Sequence, residues 1–368
     1  MTIPLITTVI PTYKRPRLLK RAIASVQAQT FKDIRICVHD NASGDQTEGV
    51  VRDLARQDER IHYIRNPENV GGIANMKKGI AAVKSEFFSL LSDDDFIFPD
   101  FYRQAIHQAQ THPEASTFCS KTTTIDLFNK KFERRNKLWE AGLYEPTPEN
   151  IERVYHDHFV STGVVFKTFL RDQIGMFDSS GSDRLYVTMA AAHSPFVVLD
   201  YHGGGLVLHE QSFSSTVGLR REGVDEVKRY FVEVMEQCVG MDIAVDRKAF
   251  LMSLIVKSYG ASFDHFRYSA AINGEKLNDV PSYFSSEGFL AQLYLKTPLK
   301  LHPVLSSILN SRRYFSWFGS RRKDGEKHLS VLTPQALNCF SDVDCDITTI
   351  AEILQNAEAR HGKATLKS

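Results

Sequence analysis

The sequence predicts an α/β protein in which a mostly parallel, Rossmann-like sheet is flanked by helices and followed by a mostly helical extension. Short β-rich segments alternate with amphipathic helical segments from the N-terminus to about residue 114. Such alternation is typical of a parallel sheet with right-handed crossovers. From about residue 222 the apolar spacing becomes helical. The sequence therefore predicts two domains, over residues 1–221 and 222–368.

The first strand is predicted over residues 5–10 and ends at Pro11, and Pro16 suits the first turn of the following helix. A second strand over 34–39 precedes a turn and a helix that ends near Arg56. A third strand over 61–64 leads to an Ala- and Lys-rich helix that ends near Lys84. The apolar run 87–91 is then the fourth strand.

Beyond residue 114 the alternation weakens. Further strands are predicted at 115–125 and 161–166, and 130–139 is interpreted as a basic surface stretch. A helix containing Arg171, a second helix over 185–192 and two strands, 196–199 and 206–209, complete the α/β part.

The bulk composition is that of an ordinary globular protein. The 368 residues are 42% apolar and 24% charged, and the net charge of +1 gives no reason to expect a nucleic-acid partner. No apolar stretch approaches the roughly 18–20 residues that span a bilayer, and the N-terminus lacks a signal-peptide pattern. Five cysteines without CxxC spacing are interpreted as free thiols in a reducing compartment. We therefore expect a cytoplasmic protein.

Three consecutive carboxylates, Asp93, Asp94 and Asp95, follow the fourth strand. In open α/β sheets ligands bind at the carboxyl ends of the strands. Because adjacent like charges repel, the triplet favours a hard divalent cation shared with a phosphate. The alternative is a solvated acidic turn that caps a helix beginning near Pro99.

Polar or glycine-containing loops also follow the first three predicted strands. An Asp can accept from a nucleotide base, a Tyr can stack on it, and a Gly-Gly pair at a helix N-terminus lets an anion approach the backbone. Each loop alone is a weak signal, but all of them converge on one sheet edge. The residues are Pro11, Thr12, Tyr13, Arg15, Asp40, Asn41, Asn69, Gly71, Gly72 and Asn75.

Over about residues 3–215 the chain resembles the family-2 glycosyltransferases with the GT-A fold. The resemblance rests on five motifs in this order: VIPTYKR at 9–15, VHDNAS at 38–43, NVGGIAN at 69–75, SDDD at 92–95 with Pro99, and GMFD at 175–178. It implies an enzyme that uses a nucleotide-sugar donor.

The resemblance also implies roles for the loop residues. Thr12, Tyr13, Arg15 and Asp40 would hold the base and ribose, and Asn69 and Asn75 would shape the same pocket, to which Pro11 and Gly72 also contribute. Asp93 would contact the ribose. Asp94 would hold Mn²⁺ or Mg²⁺ on the diphosphate, and Asp95 is grouped with the metal ligands although its role stays open.

Two later positions complete the implied site. The family usually carries a Glu-Asp pair after the GMFD motif, and here the loop contains Ser182 and Asp183, so Asp183 is the candidate general base. Its alternative role is to cap the helix at Leu185, and Asp178 is the second candidate base. His209 is a candidate metal ligand, and Arg220 could neutralise phosphate charge together with Arg221.

The implied activity is an inverting transfer of a sugar from a UDP- or dTDP-linked donor to a hydroxyl of a glycan or lipid-linked acceptor, in cell-surface polysaccharide synthesis. One alternative is a catalytically degenerate carbohydrate-binding or scaffold protein, which the missing Glu favours. Another is a sugar-1-phosphate nucleotidyltransferase, but the loop after the first strand has no glycine to cradle a triphosphate.

Residues 296–327 of the C-terminal extension mix basic and aromatic side chains. Such a segment suits peripheral contact with an anionic membrane, where a lipid-linked acceptor would lie at the inner face. A solvated helix face and a homodimer contact remain open as alternatives.

Overall fold

The computed structural model describes residues 3–127, 129–176, 182–209, 233–234 and 237–255. Its first half alternates strands and helices as predicted. The elements are β1 Ile6–Thr12, α1 Pro16–Gln27, β2 Ile34–Asp40, α2 Thr47–Ala55, β3 Ile61–Arg65, α3 Gly72–Ala81, β4 Phe87–Leu90, β5 Phe96–Ile97 and α4 Phe101–Thr111.

The second half extends the same sheet. Its elements are β6 Thr117–Asp126, β7 Lys131–Arg134, β8 Gly142–Tyr144, α5 Pro148–His156, a 3₁₀ turn Ser161–Gly163, β9 Val164–Lys167, α6 Phe169–Ile174, α7 Ser182–His193 and β10 Phe196–Leu208. The described residues 237–240 and 245–255 are also helical.

Within the described residues the strands form one sheet with the order β3-β2-β1-β4-β9-β6-β10-β5. Neighbours from β3 to β4 are parallel, as are β6 and β10, whereas β9 runs antiparallel between β4 and β6. The parallel register aligns Thr12 with Asp40 and Asp40 with Arg65. The carboxyl ends of these strands therefore lie at one edge, which confirms the predicted mostly parallel α/β fold.

Apolar side chains from the sheet and α1 form the core. Ile6, Ile10 and Ile36 have no exposed surface, and α1 packs on them through a buried stripe. The stripe consists of Leu19, Ala22, Ile23 and Val26. The 3.6-residue period that predicts α1 thus corresponds to its buried face.

Two predictions for the second half are wrong. Residues 196–199 and 206–208 belong to one strand, β10, which continues through Gly203, Gly204 and Gly205 and ends before His209. Residues 130–139 are not a surface stretch throughout, because they include β7 and the buried Trp139. Trp139 packs against Phe159 and Phe196, and the Arg153 guanidinium lies 3.9 Å from its ring centroid.

The glycine run lets β10 pass very close to its neighbours. A Cβ on Gly204 would lie 3.0 Å from the backbone of Gly163, and a Cβ on Gly205 would lie 2.4 Å from the ring of Phe96. Side chains at these positions would therefore push β10 away from the 3₁₀ turn and from β5.

The predicted C-terminal domain lies mostly outside the described residues, of which it contains only 233–234 and 237–255. Within the described part of the chain, no helix is both long and apolar enough to cross a membrane.

Candidate active site

The three aspartates occupy a buried step between β4 and β5. Asp93, Asp94 and Asp95 are 6%, 7% and 1% exposed, so the triplet is not a solvated turn. Burial and the charge of Asp94 together raise the pKa of Asp93 to about 6, against the opposing effects of Arg15 and Thr12. Burial and Asp94 also raise the pKa of Asp95 well above its usual range. Negative charge at this step is therefore disfavoured unless cations compensate it.

Two residues of the loop after β1 reach the acidic step. The Thr12 hydroxyl donates to Oδ2 of Asp93 at 2.7 Å, and Nη1 of Arg15 lies 3.1 Å from Oδ1 of Asp93 and 3.0 Å from Oδ2 of Asp94. The loop turns at Lys14, whose φ is 56°, and Oγ of Ser43 accepts from its amide. A tight turn between β1 and α1 thus directs Arg15 towards two carboxylates.

His209 follows β10 and approaches the same step. Its Nε2 lies 3.3 Å from Oδ2 of Asp94. One carboxylate oxygen and one imidazole nitrogen suit a cation such as Mn²⁺, and Mg²⁺ sites also commonly combine one or two carboxylates with substrate phosphates. Among the described residues no group of three or more His, Cys, Asp or Glu side chains could hold a metal ion. The arrangement fits an open site whose other ligands come from a substrate and water.

Uncharged protein donors engage both oxygens of Asp95. Oδ2 accepts from the Thr162 hydroxyl at 2.7 Å, and Oδ1 accepts from the Val207 amide at 2.9 Å. Helix α4 begins after Asp100 instead of after the triplet. The acidic step therefore does not cap that helix.

Asp40, at the end of β2, is buried and held by two neighbouring side chains. Its Oδ1 accepts from the amide and the hydroxyl of Ser43, and its Oδ2 accepts from the Tyr63 hydroxyl at 2.6 Å. Tyr13 lies in the loop after β1 and is 39% exposed, with Nζ of Lys14 5.2 Å from its ring centroid. An exposed ring of this kind is available for stacking.

Four asparagines connect the loops after β2 and β3. Asn41 donates to Asn69 at 2.7 Å, Asn66 donates to Asn75 at 2.8 Å, and Asn75 donates to the carbonyl of His39 at 2.8 Å. Oδ1 of Asn69 also accepts from the amide of Gly71, whose φ is 87°. This network fixes the entrance to α3, which begins at Gly72.

Asp183 lies in the first turn of α7. Its Oδ2 accepts from the Ser161 amide at 3.2 Å, so the carboxylate contacts the 3₁₀ turn. Burial raises the pKa of Asp183, whereas hydrogen bonds from Ser161 and the positive charge of Arg135 lower it. The structure thus connects Asp183 to the turn that also contacts Asp95.

The structure brings together Thr12, Arg15, Asp93, Asp94 and His209 around one cluster of oxygens. Pro11 belongs to β1 itself, whereas Asp40, Asn69, Gly72 and Asn75 form a second group at the ends of β2 and β3. Asp178 and Arg220 lie outside the described residues.

Sequence reasoning missed two buried contributors. Arg21 on α1 donates to the main-chain carbonyl of Asp94, and a cation among the apolar positions of an amphipathic helix is the signal that could have indicated it. Thr162 contacts Asp95 across 67 residues of sequence, and no local pattern marks such a pair.

The chain is similar in sequence to several known proteins. Residues 7–174 match the model of Glycosyl transferase family 2. A Campylobacter jejuni GalNAc(5)-diNAcBac-PP-undecaprenol beta-1,3-glucosyltransferase is 40% identical over 93 residues, which are 25% of this chain and 30% of that protein. The succinoglycan biosynthesis protein ExoW of Rhizobium meliloti is 34% identical over 155 residues, 39% of this chain and 48% of ExoW. The matches span less than half of either relative.

Solved structures have a similar fold. Residues 1–349 of S. aureus TarS in complex with UDP-GlcNAc align with a TM-score of 0.59 at 17% identity, covering 88% of this chain and 94% of that chain. A second TarS 1–349 structure gives 0.58 at 16% identity with the same coverage. At this identity the likeness concerns the fold alone, and that fold is GT-A. Together with the family match, it shows that residues 7–174 resemble the domain of glycosyl transferase family 2.

Proposed function

We propose that this protein is an inverting glycosyltransferase that moves a sugar from a UDP- or dTDP-linked donor to a hydroxyl of a glycan or lipid-linked acceptor in cell-surface polysaccharide synthesis. One observation carries the proposal: Arg15 and His209 converge on Asp93 and Asp94 at the carboxyl end of the parallel strands. Nucleotides bind at this edge in open α/β sheets.

Asp94 and His209 would hold Mn²⁺ or Mg²⁺, and their 3.3 Å separation and mixed oxygen and nitrogen donors support this assignment. When bound, the cation supplies positive charge against the departing nucleoside diphosphate. Arg15 contributes a fixed positive charge beside the same oxygens, and we assign to Arg220 a similar contact with the diphosphate.

In this proposal the two groups of loop residues bind different parts of the sugar donor. Asp93, oriented by the Thr12 hydroxyl, accepts from the ribose. Asp40 accepts from the base while Tyr13 stacks on it, and the asparagine network that includes Asn69 and Asn75 holds the pocket wall. Pro11 and Gly72 let the backbone approach the donor closely.

Asp183 is the proposed general base. Its carboxylate takes the proton of the acceptor hydroxyl, which attacks the anomeric carbon from the face opposite the leaving group. A single displacement of this kind inverts the anomeric configuration. Burial raises the pKa of Asp183, and the hydrogen bond from the Ser161 amide and the charge of Arg135 oppose that rise and favour the ionised form that a base requires.

The lipid-linked acceptor in the name of the C. jejuni relative supports a similar acceptor here. We accordingly propose that the protein works in the cytoplasm at the inner face of the membrane. The basic and aromatic segment 296–327 proposed for membrane contact or dimerisation lies outside the described residues.

The test is a panel of UDP- and dTDP-sugars, with and without Mn²⁺ or Mg²⁺, offered with undecaprenyl-diphosphate-linked saccharides or free oligosaccharides. We expect metal-dependent release of nucleoside diphosphate from one donor class, and a product whose new linkage has the opposite anomeric configuration by NMR. Asp53→Ala, at a carboxylate 63% exposed on α2, is the matched control and should keep full activity.

Release of pyrophosphate from a nucleoside triphosphate and a sugar 1-phosphate would identify a nucleotidyltransferase instead. Donor binding without turnover of any panel member would identify the degenerate, carbohydrate-binding alternative.

A further inference from the structure

Three segments that are distant in sequence meet at the buried carboxylate of Asp95. Asp95 itself lies between β4 and β5, Thr162 lies in the 3₁₀ turn, and Val207 lies near the end of β10. The carboxylate accepts from the Thr162 hydroxyl at 2.7 Å through one oxygen and from the Val207 amide at 2.9 Å through the other. A side chain with one acceptor fewer could not bind both donors in this way.

Each of these two hydrogen-bond donors, Thr162 and Val207, lies close in sequence to a residue that contacts or belongs to the proposed active site. Ser161, directly before Thr162, donates its amide to Oδ2 of Asp183. Val207 precedes His209 by two residues, and Nε2 of His209 lies 3.3 Å from Asp94. Asp95 is therefore connected through one short segment to the candidate base and through another to the candidate metal ligand.

The backbones of the two segments are also in direct contact. Gly204 of β10 lies against Gly163 of the turn so closely that a Cβ on Gly204 would be 3.0 Å from the Gly163 Cα and amide nitrogen. The Gly163 carbonyl accepts from the Ser120 hydroxyl at 2.9 Å. The turn is thus fixed on the sheet side by backbone contact and on the acidic side by Asp95.

We propose that Asp95 is a positioning residue and not a metal ligand, and that its bond with Thr162 sets the place of Asp183 relative to Asp94. This inference rests on the proposed function for its catalytic consequence. The two hydrogen bonds of Asp95 fix different segments. The bond with Thr162 fixes the turn that contacts Asp183, and the bond with Val207 fixes the strand that precedes His209.

The test replaces Thr162 with valine, which has nearly the same shape but lacks the hydroxyl. In Thr162→Val we expect kcat to fall by roughly 10- to 100-fold, since a displacement of about 1 Å can cost 10²-fold in rate. The KM for the donor, and the Kd of UDP measured by calorimetry with Mn²⁺, should stay within about twofold of wild type, because the donor and metal contacts do not involve Thr162. Thr162→Ser should restore most of kcat.

Thr123→Val is the matched control. Thr123 is fully buried in β6, and its hydroxyl has no hydrogen-bond partner among the described residues. Thr123→Val therefore removes the same group from a buried threonine without breaking a hydrogen bond, and its kcat should match wild type.

Hydrogen exchange in the ligand-free protein gives a measurement that does not depend on turnover. In Thr162→Val, peptides covering residues 160–164 should exchange at least about tenfold faster than in wild type, while peptides covering 205–208 keep their protection. Thr123→Val should leave both peptides unchanged.

Wild-type kcat and wild-type exchange in Thr162→Val would overturn the inference. A parallel loss of kcat and of UDP affinity would also overturn it, because that result would place Thr162 in general folding or donor binding. If wild-type protein transfers no sugar from any donor, the proposed function fails, whereas the exchange measurement still decides whether Asp95 and Thr162 fix the turn.

Discussion

Two carboxylates that contact an arginine, Asp58 and Asp93, have pKa values that are shifted in opposite directions. Asp58, in the turn before β3, is bound through both oxygens by Arg60, at 2.9 Å from Nε and 2.7 Å from Nη2. These hydrogen bonds lower the pKa of Asp58 to about 2. In the acidic step one nitrogen of Arg15 serves both Asp93 and Asp94, and burial raises the pKa of Asp93 to about 6.

The difference separates a carboxylate whose charge stabilises the fold, Asp58, from a carboxylate whose charge the fold disfavours, Asp93. Asp58 has a whole guanidinium fork and contact with water, so ionisation stabilises it. Asp93 shares one nitrogen of Arg15 with Asp94 and lies out of water, so the ionisation of Asp93 opposes folding. A carboxylate with a raised pKa at a strand end is therefore a stronger indication of function than an ion pair alone.

The sign of the pH dependence follows from these shifts. Asp58 contributes stability above its ordinary pKa of 3.8, and this contribution is lost as the pH falls towards 2. Asp93 acts in the opposite sense: its contribution is most favourable below 3.8 and is lost as the pH rises through about 6.

The largest effect is expected for Asp183, whose pKa is raised by burial like those of Asp93 and Asp95. Asp183→Asn should lower kcat by about 1,000-fold, because the neutral amide cannot take the acceptor proton. Donor affinity by calorimetry should stay at the wild-type value, and the thermal unfolding temperature should not fall. A marked loss of stability in this variant would group Asp183 with Asp58 as a structural carboxylate.

A smaller effect is expected for Asp94→Ala. UDP binding in the presence of Mn²⁺ should weaken by roughly 10- to 100-fold, whereas binding without metal should change little. Calorimetry with and without Mn²⁺ measures both quantities, and Asp53→Ala provides the control. Equal weakening under both conditions would mean that Asp94 contacts the nucleotide without a metal.

For the ligand-free protein, Asp93→Asn should increase the free energy of unfolding at pH 7.5 by about 1–3 kcal/mol, since it removes a buried charge whose pKa is raised. The gain should disappear below about pH 4. Denaturant unfolding at several pH values tests this, and a destabilised variant at pH 7.5 would show that the bonds with Thr12 and Arg15 outweigh burial.

The smallest effect is expected for Asp58→Asn. It should lower the free energy of unfolding at pH 7 by about 1 kcal/mol, because solvent reaches the pair and screens its attraction. The difference from wild type should shrink as the pH falls from 4 to 2. Opposite pH trends for the Asp58 and Asp93 variants would sharpen the comparison, and parallel trends would break it.

The sequence predicted the first half of the fold well because its strands and helices carry clear apolar periods, as in α1 with Leu19, Ile23 and Val26. It failed at β10, where Gly203–Gly205 interrupt the apolar pattern of a continuous strand. Glycine signals a break when only local propensity is considered, but here it permits close packing against Gly163 and Phe96.

The positions of candidate site residues could be predicted where polar residues directly follow a strand in the sequence. The position of the acidic triplet after β4 depends only on local order, and so does that of Asp40 after β2. The pairing of Asp95 with Thr162 and the contact of Asp183 with Ser161 depend on how β9 enters the sheet. Long-range contacts of this kind leave no mark in a local pattern, and the roles assigned to these residues stay predictions.

The contact between Gly163 and Gly204 also limits how the protein can be altered. The two backbones are so close that even a single methyl group on Gly204 would act as a wedge between them. A library that aims to change the donor preference of the proposed function can diversify exposed positions such as Tyr13 at little structural risk. The same library should keep residues 203–205 unchanged, because variation there would alter the spacing of the whole site instead of its selectivity.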